Sequence, residues 1–222
     1  MGAMFASVSF LGSSNASSVQ PLVDIERTVS YRERAAGLYA ALPYAISQVL
    51  MEIPYTFVQS ILYGLIVYFT LGFQLSFVKI MWFFFIMFFT FLYYTYYGMM
   101  TVALTPNATF ATIVSSAFYG IWMLFAGFIV PKTGLPIWCR WFYYVSPIAW
   151  TLNGLVTSQF GDMKTTMLTY NGDAVPIKEF IRTTYGFSHD MLPLVASVIV
   201  GFAVLFAFVF SFAIRFFKFQ KR

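Results

Sequence analysis

The chain has 222 residues, of which 60% are hydrophobic, 22% aromatic and only 9% charged, and its net charge is +5. A typical soluble domain is about 45–50% apolar and about 25% charged, so this composition excludes a soluble enzyme, a nucleic-acid-binding domain and a disordered segment. We therefore expect an all-α integral membrane protein that has the lipid bilayer, and no nucleic acid, as its partner.

Uncharged runs of about 20 residues, the length needed to cross a bilayer core, predict five spans. In chain order the spans cover residues 2–22, 43–71, 78–104, 108–130 and 191–216. The uncharged run from Ile80 to Val130 is long enough for two spans, and Thr105-Pro106-Asn107 divides it because proline disfavours helix in the residue before it. The predicted fold is a multi-pass bundle of five spans.

Residues 24–41, between the first two predicted spans, carry charges of both signs. This pattern indicates an amphipathic helix or helix pair, for which Asp24 is a suitable N-cap. Two interpretations stay open at this point. The segment is either a plain surface helix or a docking surface for a cytoplasmic partner.

The second predicted span carries a polar stripe that includes Glu52, the only ionisable residue deep within a predicted span. Its members recur at steps of three and four residues and therefore share one helical face: Tyr44, Gln48, Glu52, Tyr55, Gln59 and Tyr63. Lipid cannot satisfy such groups, so the stripe must face protein or a wet cavity. It is either a structural ladder of hydrogen bonds between helices or part of a translocation or proton-relay path.

Residues 131–190 are predicted to form the last external loop, and 136–160 a re-entrant or interfacial helical element within it. The segment Trp141–Phe160 is uncharged and could also span. Lys and Arg cluster at residues 27–34 and again at 215–222, and the positive-inside rule places both clusters, and hence the C-terminus, in the cytoplasm. An even number of spans between the clusters requires 136–160 not to cross.

The sequence predicts no catalytic, cofactor-binding or metal site in this chain. A Gly-x-x-x-x-Gly-Lys-Ser/Thr phosphate loop and a zincin helix motif are both absent from the sequence. One Cys and one His exclude an intrachain disulfide framework and a metal site built from several such residues.

Several segments together resemble one known family. They are Asn15-Ala-Ser-Ser-Val-Gln20, residues 26–39, Tyr97-Gly-Met-Met100, Pro136-Ile-Trp-Cys-Arg-Trp141, Ser146-Pro-Ile-Ala-Trp-Thr151 and Ser158-Gln-Phe-Gly-Asp162. They resemble the second, ABC-2 type transmembrane domain of plant full-size ABC transporters of the G subfamily, the pleiotropic-drug-resistance class. The resemblance covers nearly the whole chain. It implies a domain whose first span, nucleotide-binding domains and partner membrane domain lie outside this sequence.

The resemblance also implies a function and roles for particular residues. We expect a plasma-membrane exporter of hydrophobic or amphipathic small molecules, driven by ATP and Mg²⁺ bound on the absent nucleotide-binding domains. Contacts to those domains are expected at Glu26, Arg27, Tyr31, Arg32, Glu33 and Arg34. The substrate cavity is expected at Phe10, Ser13, Ser116, Tyr119, Gly120 and Met123, and a gate at Phe128 and Ile129. An external disulfide seen in many members is not expected, because Cys139 is alone.

An alternative function stays open. The chain could be a truncated, non-transporting fragment that acts as an interaction partner of full-length relatives or has no function. Translation of the DNA upstream of Met1 discriminates the two, since an in-frame span and nucleotide-binding domains favour the exporter and a stop codon favours the fragment.

Overall fold

The computed structural model describes residues 1–163, 165–168 and 174–217, and these residues confirm the all-α fold class. The helices in chain order are α1 (Gly2–Ala35), α2 (Ala41–Thr70), α3 (Phe77–Leu104), α4 (Ala108–Leu124), α5 (Arg140–Val145), α6 (Pro147–Phe160), α7 (Ile177–Tyr185) and α8 (Leu192–Phe216). Single 3-10 turns cover Lys132–Gly134, Ile137–Cys139 and His189–Met191. Two short strands that the sequence did not predict, β1 (Thr166–Leu168) and β2 (Ala174–Pro176), pair antiparallel just before α7.

Three helices in the described part of the chain are long and apolar enough to cross a bilayer. They are α2, α3 and α8 together with the 3-10 turn that precedes it. Helix α4 is apolar but has 17 residues, which gives a length of about 25 Å at 1.5 Å per residue. Helix α1 has 34 residues and includes the charged segment. The number of five spans stays a prediction.

Helix α1 runs without a break through the charged segment, so the predicted helix boundary at Asp24 is wrong. The buried positions Ala16, Val19, Val23, Arg27 and Ser30 continue at steps of three and four residues past that point. One face therefore stays packed against the bundle, which favours continuation of the helix over a new start. The charged end of α1 and its apolar part form one continuous helix.

Helix α3 lies at the centre of the bundle, where it contacts α1, α2, α4, α6 and α8. Every residue from Phe91 to Met99 is buried. Close approach of α1 depends on glycine, because a Cβ on Gly98 would lie 2.5 Å from the backbone oxygen of Ala16. A Cβ on Gly12 would likewise lie 2.4 Å from the ring of Tyr94. Small residues at these positions allow the two helices to pack closely.

Helix α6 is buried within the bundle. It runs antiparallel to α3, since Gln159 Nε2 donates to the Lys79 oxygen at 3.1 Å while the Thr90 and Thr151 hydroxyls lie 3.1 Å apart. Thr90 lies eleven residues along α3 from Lys79, about 16 Å and roughly half the thickness of a bilayer core. The start of α6 is held by Ser146, whose hydroxyl donates to the Trp122 oxygen at the end of α4. The sequence left two alternatives for this segment, a re-entrant or interfacial element and a further span, and the packing supports the re-entrant element.

Candidate functional site

Three sides of α1 contact neighbouring helices, and a fourth side is open. The Gln20 amide donates to the Ser115 hydroxyl at 2.7 Å and so faces α4. Asn15 faces α2, and Ala16 packs on α3. The open side exposes Phe10, Ser14, Ser17, Ser18 and Pro21. The Ser18 hydroxyl donates to the Asn15 oxygen of the same helix, whereas Ser14 and Ser17 add hydroxyls that lipid chains match poorly. This open face is therefore suited to water, ligand or another protein surface.

The exposed side of α2 has a different character. Its exposed residues are large and apolar: Ile46, Leu50, Ile53, Phe57, Leu62 and Ile66. Such a surface matches lipid chains. The contrast between the two helices separates a lipid-facing side of the bundle from the polar open face of α1.

Three of the six residues in the polar stripe of α2 form hydrogen bonds with α1. Asn15 and Gln59 exchange two amide hydrogen bonds, of 2.9 and 2.7 Å. Gln48 Nε2 donates to a Glu26 carboxylate oxygen at 2.6 Å. The Tyr63 hydroxyl donates to the Ser7 oxygen at 3.1 Å. These contacts support the structural-ladder interpretation for three stripe residues.

Glu52 differs from these three stripe residues. Its half-buried carboxylate has no hydrogen-bond or ion-pair partner among the residues that the structure describes. It opens instead into a cavity of about 230 Å³ that is bounded by α1, α2 and Thr95 of α3. The cavity is lined by Asn15, Ser18, Val19, Leu22, Glu52, Tyr55, Thr56, Gln59 and Thr95. Tyr55 is 67% exposed at its rim, while Tyr44, the first stripe residue, is half-buried nearer the start of α2.

Arg27, expected as a contact for the nucleotide-binding domains, is instead buried inside the chain and only 3% exposed. Its Nη1 donates to the oxygens of Val102 and Thr105 at 2.6 and 2.7 Å. Its Nη2 donates to Pro106 O at 2.8 Å and pairs with the Asp24 carboxylate at 2.6 Å. The guanidinium therefore satisfies carbonyls at the end of α3, and the prediction that Arg27 contacts the nucleotide-binding domains is corrected because its side chain is buried.

The Asp24 carboxylate extends this junction to α4. Its second oxygen accepts a hydrogen bond from the backbone N–H of Ala108 at 3.2 Å. Ala108 is the first residue of α4, and free N–H groups at a helix start bind anions well. Asp24 and Arg27 thus join the charged end of α1 to the turn between α3 and α4. We call these two side chains and that turn the α1–α4 junction.

The other expected coupling residues lie at the same end of the bundle. Arg32 is exposed and Arg34 half-buried, while Glu26 is held by Gln48. The Tyr31 hydroxyl donates to the Phe217 oxygen at 3.3 Å, which brings the end of α8 beside the charged end of α1. Glu33 accepts a hydrogen bond from the Tyr39 hydroxyl, and this contact raises the pKa of Tyr39.

The expected cavity residues of α4 divide between two faces. Ser116 and Gly120 are exposed, on a ridge with Thr112, and Met123 is half-buried. Tyr119 is only 6% exposed, and its ring packs among Tyr94, Tyr97 and Trp122. The prediction that Tyr119 lines the substrate cavity is therefore corrected, because its side of α4 faces α3.

The remaining expected residues lie at the surface of the described chain. Phe10 is 75% exposed on α1, and the half-buried Ser13 donates its hydroxyl to the Ser9 oxygen. At the expected gate, the Phe128 ring stacks on Phe5 with centroids 5.1 Å apart, and Ile129 is exposed. The structure therefore brings one gate residue onto the start of α1, while the gating role stays a prediction.

Comparison with known proteins decides the family. A family model described as "ABC-2 type transporter" matches residues 1–160. The chain belongs to the ABC-2 type transporter family. It is 56% identical over its full length to "Pleiotropic drug resistance protein 1" of Nicotiana tabacum, and 54% identical to "ABC transporter G family member 53" of Oryza sativa subsp. japonica. It is also 53% identical to "ABC transporter G family member 40" of Arabidopsis thaliana. The chain spans 15% of the length of each of these relatives.

This ABC-2 type membrane domain contains a polar clasp that the sequence did not reveal. Lys79 Nζ donates to the Gln159 oxygen at 3.0 Å and pairs with the Asp162 carboxylate at 2.8 Å. Burial opposes ionisation of Asp162, but the Lys79 ammonium outweighs it and holds the pKa of Asp162 below its ordinary value. The clasp fastens the end of α6 to the start of α3. A lysine in the first turn of a span was the available signal, but its partner lies 83 residues away in sequence.

Proposed function

We propose that the chain forms the membrane-spanning part of an ATP-driven exporter of hydrophobic or amphipathic small molecules. The observation that carries the proposal is the match of the whole chain to pleiotropic-drug-resistance and ABC G-family relatives. ATP and Mg²⁺ would bind nucleotide-binding domains outside this chain, and a second membrane domain would complete the translocation path. The exporter would lie in the plasma membrane with the C-terminus in the cytoplasm.

The continuity of α1 supports a route for coupling. A force on the exposed side chains near Arg32 would move α1 as a rod, because the helix has no break between residues 2 and 35. The α1–α4 junction would pass that displacement to the first turn of α4. The two helices that carry the expected cavity residues would therefore move together.

The surface chemistry of α1 and α4 supports an amphipathic substrate. The open face of α1 combines serine hydroxyls with the large apolar side chain of Phe10, and the ridge of α4 adds the hydroxyls of Thr112 and Ser116. Sites for such ligands combine apolar contact area with a few placed polar groups. We place the cavity wall at Phe10, Ser13, Ser116, Gly120 and Met123, and the gate at Phe128 and Ile129.

Reconstitution tests this proposal. A complete transporter that carries this domain should accumulate a hydrophobic dye in inside-out proteoliposomes only when ATP and Mg²⁺ are present. The purified 222-residue chain should show no ATP turnover above an empty-liposome control. Substantial turnover by the chain alone, or dye uptake that is independent of ATP, would contradict the proposal.

A further inference from the structure

The Glu52 carboxylate has an unusual environment for an ionisable group within a span. Eleven residues of α2 precede it, so it lies about 16 Å from the start of that helix. An intramembrane carboxylate is costly unless it is paired, and such residues mark functional sites by default. Neither its own helix nor α1 supplies a partner for Glu52 in the described part of the chain. Its neighbour one turn along, Gln48, is already bonded to Glu26.

The surroundings of Glu52 add negative rather than positive charge. Glu26 lies close by on α1, at the level of Gln48. The two salt bridges within the described residues join Arg27 to Asp24 and Lys79 to Asp162, and neither includes Glu26 or Glu52. The Arg27 guanidinium is directed to the end of α3. The cavity at Glu52 therefore favours a cation.

We propose that the Glu52 cavity binds the charged end of an amphipathic organic ammonium ion. This inference rests on the proposed exporter function and narrows its substrate class. The cavity offers one carboxylate together with the apolar side chains of Val19 and Leu22 and the ring of Tyr55. Aromatic rings and carboxylates both attract alkylammonium groups. A bare metal ion fits poorly, since the described residues hold no group of three His, Cys, Asp or Glu.

The size and position of the cavity match one end of an amphiphile. Drug-sized ligands occupy pockets of about 300–1,000 Å³, and this cavity of about 230 Å³ is smaller. The rest of the molecule must therefore lie outside it. Ser18 and Leu22 belong both to the cavity lining and to the exposed surface of α1, where Leu22 and Phe10 provide apolar surface. The ammonium end would enter at Glu52 and the tail would extend along that open face.

Binding by the full 222-residue chain in lipid nanodiscs tests the site directly. The probes are a fluorescent amphiphile with a trimethylammonium end and its uncharged tert-butyl isostere. We expect the wild-type chain to bind the cation at least tenfold more tightly than the isostere. Glu52→Gln should abolish that preference while leaving isostere binding within twofold, and Glu52→Asp should keep part of the preference. Glu179→Gln, which removes an exposed carboxylate on α7, is the matched control and should change neither affinity.

Three outcomes would overturn the inference. The first is equal affinity of the wild-type chain for both probes, as expected if Glu52 is neutral or the cavity is filled. The second is an unchanged preference for the cationic probe in Glu52→Gln. The third is an equal loss of affinity for both probes in that variant. If Glu52→Gln fails to give a monodisperse chain, Tyr55→Leu at the exposed rim should still weaken cation binding several-fold and spare the isostere. Absence of ATP-driven export by the complete transporter, with cation preference intact, counts against the proposed function alone.

Discussion

A single buried guanidinium holds the α1–α4 junction, and its removal should cost stability. Arg27→Ala would leave the oxygens of Val102, Thr105 and Pro106 without their donor and Asp24 without its ion pair. Each unsatisfied buried group costs about 1–3 kcal/mol, and breaking a buried pair costs about 3–5 kcal/mol. Asp24, Thr105 and Pro106 keep partial contact with solvent, so we expect a net loss of about 3 kcal/mol.

Thermal unfolding of the detergent-purified chain, followed by tryptophan fluorescence, measures this loss as a fall in Tm. The exposed Arg32 provides the control, since Arg32→Ala removes the same charge without a buried contact and should leave Tm nearly unchanged. Arg27→Lys should fall between the two, because an ammonium cannot reproduce the planar fork of donors. Equal Tm values for Arg27→Ala and Arg32→Ala would show that the junction does not stabilise the fold.

At the scale of helices, the contact between α1 and α3 depends on the missing side chain of Gly98. Replacement of a helical glycine by alanine ordinarily favours the helix by up to about 1 kcal/mol. A Cβ on Gly98 would however lie 2.5 Å from the Ala16 oxygen and 2.9 Å from Ala16 Cα, and backbone atoms cannot move away cheaply. We expect Gly98→Ala to destabilise the chain by about 1–3 kcal/mol, the usual cost of overpacking.

The control for Gly98 lies on α4. Gly120 is also helical, but no atom lies within 4 Å of the position that its Cβ would take. Gly120→Ala should therefore leave Tm unchanged or raise it. The two substitutions are chemically identical, so opposite signs of the Tm shift isolate the helix contact. A similar shift for both would mean that α1 does not approach α3 as closely as the structure has it.

Helix positions were readable from the sequence because each depends on local signals. The turn at Thr105-Pro106-Asn107 falls between α3 and α4 as proline placement predicts, and the stripe of α2 faces α1 and a cavity as lipid chemistry requires. Pairings between distant residues were not readable. Gln48 with Glu26, Arg27 with the end of α3, and Lys79 with Asp162 depend on which helices become neighbours, which no local pattern encodes.

At the scale of the whole molecule, topology depends on whether α6 crosses the bilayer. Its hydrogen bonds place Gln159 beside Lys79 at the start of α3, and Thr151 beside Thr90. The end of α6 therefore lies beside the start of α3, where Lys79 pairs with Asp162. The contact of Tyr31 with Phe217 independently brings the ends of α1 and α8 together. Both observations support an even number of spans between the two basic clusters.

Cysteine accessibility in sealed cells tests this topology. In a Cys139→Ser background, a membrane-impermeant maleimide should label Leu75→Cys and Glu179→Cys without permeabilisation, since both positions are exposed in predicted external segments. Thr28→Cys and Asn107→Cys, exposed at the opposite end, should react only after permeabilisation. If α6 crossed, residues 161–190 would lie in the cytoplasm and Glu179→Cys would be protected while Leu75→Cys reacted. That single difference distinguishes five spans from six, because every other position gives the same result in both topologies.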